Sequence, residues 1–140
     1  TRDKAHEFAG FNLIVGEINV QRNELYYFSN RQGTVEKLAK GIYGLSNKSL
    51  DTPWPKVKNG KLALSNNLRR ETISNDSLFE ILHDETLADD EHLPDTGIGK
   101  SRERLLSAIF IKSPDYGTRC STILRFDAEF KFEFDERVFV

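Results

Sequence analysis

Thiol chemistry is almost absent from this chain: one cysteine, Cys120, among 140 residues excludes an internal disulfide and any multi-cysteine metal site. That scarcity suits a reducing, cytoplasmic setting. Methionine is missing altogether, and the opening Thr1-Arg2-Asp3-Lys4 is neither a signal peptide nor a native start, as expected of a fragment. No apolar run approaches the roughly 20 residues a transmembrane helix needs, so none is expected. Charge of one sign is also lacking. Twenty basic residues face 22 acidic ones, a net charge of -2, so no electrostatic reason points to nucleic acid or an anionic membrane as partner. The three histidines have no ligand spacing. His83 and His92 flank an acidic stretch that reads as a solvated loop, so neither a metal nor another cofactor is expected. The isolated glycines build no phosphate-binding loop.

What the chain does have is bulk for a core: ten phenylalanines and four tyrosines, within a 30% charged fraction that fits a soluble domain. Phe11–Val15 reads as a largely buried strand closed by Gly16. After a polar turn, Glu24–Asn30 would pair with it as a hairpin. Val35–Leu38 suits a short strand, and Gly41–Asn47 a further one. Asp51 or Thr52 is placed to cap a helix with Pro53 at its first position, running through Leu62, Leu64 and Leu68. Ser74–His83 is a short helix, 84–99 an acidic loop, and Ser101–Ile111 a helix with Leu105, Leu106, Ile109 and Phe110 as its apolar stripe. Two strands close the chain, Thr118–Phe126 and Phe130–Phe139. In the last, Phe130, Phe132 and Phe134 alternate with Lys131, Glu133 and Asp135, which predicts one buried and one solvated face. Strands, then helices, then strands make an α+β fold with antiparallel pairing. There is no repeat, low-complexity tract or linker, so residues 1–140 are expected to be part of one domain.

Three stretches carry a family resemblance. They are Gly10-Phe11-Asn12-Leu13-Ile14-Val15-Gly16 with Tyr26-Tyr27-Phe28-Ser29-Asn30-Arg31; Gly41-Ile42-Tyr43-Gly44-Leu45-Ser46-Asn47 running into Leu50-Asp51-Thr52-Pro53-Trp54-Pro55-Lys56; and Leu93-Pro94-Asp95-Thr96-Gly97 followed by Leu105–Phe110 and Pro114-Asp115-Tyr116-Gly117-Thr118-Arg119. In this order they resemble the C-terminal half of the NRDE/TANGO2 family. That family's eponymous Asn-Arg-Asp-Glu motif and its opening Met-Cys do not occur here. The resemblance implies a role in Golgi organisation and secretory traffic, and in haem or acyl-CoA (lipid) homeostasis, non-catalytic in this fragment. Haem or an acyl-CoA is then a partner, as is the missing N-terminal half. Without that half, exposed sheet edges and an apolar sheet face imply either its return or self-association. A more distant likeness to N-terminal-nucleophile (Ntn) hydrolases implies a four-layer αββα sandwich. It also implies an alternative activity, cleavage of an amide or acyl substrate by an N-terminal Cys that this chain does not carry.

On that alternative, Asn47 resembles the strand-end amide that donates to an oxyanion, and Arg119 the late-strand arginine beside the nucleophile. An Asn that fixes a turn and an Arg in a structural ion pair are the plainer readings. Trp54, rigid between two prolines, walls a ligand pocket or anchors the helix start. Asn30 and Arg31 are candidate contacts to an anionic ligand, or a solvated turn. Cys120 is no nucleophile: an internal cysteine lacks the free α-amino base, and its side chain alternates with that of Arg119.

Overall fold

The computed structural model describes residues 4–139. Three strands, β1 (Asn12–Ile18), β2 (Asn23–Ser29) and β3 (Val35–Leu38), form an antiparallel meander with β2 in the middle. Helices α1 (Pro55–Asn67), α2 (Asn75–Leu82) and α3 (Lys100–Leu105) follow. Strands β4 (Cys120–Phe126) and β5 (Phe132–Val138) make a separate antiparallel hairpin. The α+β class with antiparallel pairing is therefore observed, in two sheets.

The β1–β2 turn is set by Asn19, whose Oδ1 accepts from the amides of Gln21 and Arg22 at 2.8 and 2.9 Å, the local bonding that makes Asn a turn former. After β2, the amides of Gln32 and Gly33 both donate to the Ser29 carbonyl, and Gly33 takes a positive φ of 70° that other residues resist. β1 is longer than expected, and it is not buried: Leu13, Ile14 and Val15 are all substantially exposed. Apolar sequence specified a strand, but among the described residues nothing covers it.

Helices α1 and α2 pack against each other, and α2 leans on β4. Ser74 caps α2 by accepting from the Ser77 amide at 3.2 Å. Asn67, buried at the end of α1, donates to the Ser77 carbonyl and accepts from the Ser77 hydroxyl. On β4–β5 the inner face holds Ser121, Ile123 and Arg125 paired with Arg137, Asp135 and Glu133. The Arg137 guanidinium lies 3.9 Å from the Phe79 ring centre, and Asn75 bonds Glu133, Asp135 and Arg125.

Four expectations are corrected. Residues 41–47 are not a strand. The Gly44 amide and carbonyl are both committed to Asp51, leaving only an isolated Leu45–Leu50 bridge. Neither Asp51 nor Thr52 caps α1. Asp51 is taken by Gly44 and Lys61, Thr52 bonds Ser49, and the helix starts at Pro55, where a missing N–H costs nothing. α3 stops at Leu105 because the groups beyond it find tertiary partners: the Leu106 carbonyl accepts from Lys56, the Ser107 hydroxyl from the Ala88 amide, and the Phe110 amide donates to Asp84. Finally, the phenylalanines of β5 do not form the core. Phe132 is 70% and Phe134 60% exposed, on a face shared with Leu124 and Phe126. The packed centre lies instead around Tyr27, Phe28, Val57, Phe79, Ala108, Phe110 and Ile123.

Candidate functional site

The segment from Gly44 to Lys56 has almost no regular secondary structure, yet it is pinned along its length. Gly44 donates to Asp51 Oδ1 (2.8 Å), Asp51 returns its amide to the Gly44 carbonyl (2.7 Å), and Lys61 Nζ donates to the same carboxylate (2.7 Å). These bonds hold Asp51 at a φ of 55°, a left-handed conformation that Asp tolerates better than most residues. They also hold its carboxyl below the usual aspartate range, first through the Lys61 hydrogen bond and secondarily through the Gly44 amide. A Cβ at residue 44 would stand 2.6 Å from Val57 Cγ1, so glycine is what lets the loop lie this close to α1. From the other side, the buried Tyr27 hydroxyl donates to Asn12 Oδ1 (2.7 Å) and accepts from the Leu50 amide (3.1 Å), while Asn12 Nδ2 donates to the Lys48 carbonyl. The loop is thereby fixed between the three-stranded sheet and α1.

Asn47 sits at its apex, exposed, and its amide makes no hydrogen bond among the described residues. It borders three hollows. One is an apolar cleft of about 510 Å³ whose walls include Val57, Leu64, Leu78, Ile81, Ile109 and Ile123. A smaller one, about 290 Å³, lies between Trp54 and α3, with Pro94, Ile98 and Leu106. The third is open and more polar and includes Asn12, Ser29 and Arg31. The structure thus brings Asn47, Trp54 and Arg31 around one junction. Among the described residues the Arg31 guanidinium has neither a hydrogen bond nor an ion pair.

Asn30 is placed differently. Its Oδ1 accepts from the Phe11 amide, and its Nδ2 donates to the carbonyls of Ala5, Phe8 and Ala9, so its amide is occupied in holding the segment before β1. Arg119 is exposed just ahead of β4 and lines a hollow with His83, Phe110, Tyr116 and Phe139, different from the three that Asn47 borders. In that hollow His83 stacks on Phe110 with ring centres 4.1 Å apart. Among the described residues no group of His, Cys, Asp and Glu is arranged to hold a metal ion, and no helix is long and apolar enough to cross a membrane.

The sequence reading missed Lys56, which with Asn47 lines both apolar hollows. Its Nζ donates to the Leu106 carbonyl at 2.7 Å and lies 5.9 Å from the Trp54 ring centre. Burial lowers its pKa below the ordinary lysine value. One signal was available: α1 has no acidic residue in its first turn, and a cation there opposes the helix dipole. A solvated lysine would show the same pattern, so this signal alone does not set Lys56 apart. Glu103 was missed as well. It is only 6% exposed, and its Oε1 accepts from both the amide (2.7 Å) and hydroxyl (2.5 Å) of Thr96.

Over residues 1–140 the sequence matches the family described as Transport and Golgi organisation 2. The chain belongs to the TANGO2 family. It is 35% identical over 144 residues to the Transport and Golgi organization protein 2 homolog of Bos taurus, 33% to that of Homo sapiens and 29% to the Transport and Golgi organization 2 homolog of Mus musculus. Each alignment covers 96% of this chain and 52% of the relative, so the chain spans about half the length of the curated relatives it matches.

Proposed function

We propose that this chain forms one wall of a binding site for an anionic amphiphile, a fatty acyl-CoA or haem, and that binding, rather than chemistry by these residues, serves the transport and Golgi organisation for which its relatives are named. The observation that carries this reading is the position of Lys56. A half-buried ammonium stands where two mostly apolar hollows meet, which suits an anion joined to an apolar body, and Asn47 adds an unbonded amide at the same place. Trp54 is the rigid aromatic wall and Arg31 a second, outer cation. Titration calorimetry of the full-length parent with palmitoyl-CoA and with haemin tests it. Saturable heat with either supports the reading, and no heat with both refutes it.

Amide or acyl hydrolysis is the second reading, favoured by the free Asn47 amide as an oxyanion donor. It also asks for Arg119 at the same point, whereas Arg119 lines another hollow. If the full-length parent opens with a Cys, its replacement by Ser with no change in activity or binding would remove this reading. In both readings the bare apolar faces of β1–β3 and β4–β5 are surfaces for the remaining half of a full-length parent. The two sheets would then become the inner layers of an Ntn-like αββα sandwich, with self-association as the competing way to cover them.

A further inference from the structure

The smaller hollow holds a charge that the anion site does not explain. Glu103 is buried on α3, and both of its bonds to Thr96 fall on one oxygen. The other oxygen, Oε2, accepts no hydrogen bond among the described residues and is not sealed from solvent. Among the described residues no cation pairs with Glu103, and Lys56, on the same hollow, instead donates a hydrogen bond to the Leu106 carbonyl. A buried carboxylate without a counter-charge is costly. Bridging Thr96 does not require one, because a neutral amide oxygen would accept the same two bonds. The remaining walls are the polar Asn47 and Ser107 and the apolar Trp54, Pro55, Pro94, Ile98 and Leu106, among which Trp54 offers an aromatic ring to a cation. At about 290 Å³ the hollow suits a head group, while the adjoining 510 Å³ cleft suits a chain.

We propose that this hollow receives the primary ammonium of a zwitterionic lipid of the ethanolamine type, with Glu103 Oε2 accepting from the ammonium and Lys56 holding the neighbouring phosphate. This rests on the amphiphile reading above and names its head-group chemistry. The ammonium supplies N–H donors that a quaternary choline lacks, so the site discriminates between two lipids of equal net charge.

The test uses the full-length parent and short-chain lipids below their micellar concentration. Dihexanoyl phosphatidylethanolamine should bind at least tenfold more tightly than dihexanoyl phosphatidylcholine in the unmodified protein, a comparison that needs no variant to fold. Glu103→Gln, which keeps the acceptor for Thr96, should erase that preference. Equal affinity for the two lipids, or a preference that survives Glu103→Gln, overturns the proposal. Free ethanolamine binding as tightly as the lipid overturns it too, since the chain would then contribute nothing. Palmitoyl-CoA binding without head-group discrimination refutes this inference alone, whereas silence with palmitoyl-CoA and haemin refutes the reading beneath it.

Discussion

The β4–β5 hairpin and the loop from Gly44 to Lys56 are opposites. The hairpin is regular, every residue paired in register, with Phe132 and Phe134 alternating with Glu133 and Asp135, yet the face these phenylalanines share with Leu124 and Phe126 is bare. The loop has hardly any ladder, yet its backbone is fastened at Gly44 by the Asp51 carboxylate, at Lys48 and Leu50 by the Asn12 and Tyr27 side chains, and at Asp51 by the Gly44 carbonyl. Periodicity reports which face of a strand is apolar, but it is silent on what lies against that face. Loop order depends on individual polar partners far apart in sequence, which no period encodes.

The sharpest way to break this contrast is Phe134→Ala in the full-length parent. If the rest of that protein covers the hairpin face, chemical denaturation should show a loss of about 3–5 kcal/mol, as for a buried Phe. A loss under about 0.5 kcal/mol would mean the face stays solvated. Next comes Gly44→Ala. The new methyl meets Val57 Cγ1, a β-branched side chain held stiff by its helix, and overpacking of this kind costs about 1–3 kcal/mol in a thermal melt. Asp51→Ala removes the acceptor for Gly44 and Lys61 and should cost about 1–2 kcal/mol, with faster amide exchange at Gly44 as the local reporter.

The smallest effects follow pH. Because the folded pKa of Asp51 is depressed, its contribution is present above the ordinary aspartate range, near about 4, and is lost as pH falls through the lower folded value. Asp51→Asn should flatten that part of an acid titration of stability. Lys56 behaves in the opposite sense. Its lowered pKa means that it loses its charge before an ordinary lysine does, so affinity for an anion should fall on the approach to the usual lysine value of about 10.4.

Much of the fold was legible. The strands at 24–29, 35–38 and 120–126, the Ser74 cap and the antiparallel class followed from alternation, turn residues and capping chemistry. What was lost has a physical cause in each case. The glycines around Tyr43 looked like strand punctuation, but Gly44 gives its backbone to Asp51. The Leu105–Phe110 stripe looked like a long helix, but Lys56, Ala88 and Asp84 draw its last turn into other bonds. At the site, Asn47 and Trp54 stood out by their setting in the sequence. Lys56 and Glu103 did not, because a lysine and a glutamate on helices look like solvated charges until burial is known.

The most direct test of the account compares the Lys56→Gln variant with the unmodified full-length parent by calorimetric titration with palmitoyl-CoA. Losing a charge-assisted contact of about 1.5–3 kcal/mol predicts a Kd at least tenfold weaker, with the fold intact by circular dichroism. Equal affinity in the two proteins would contradict the assignment of this junction as the anion site.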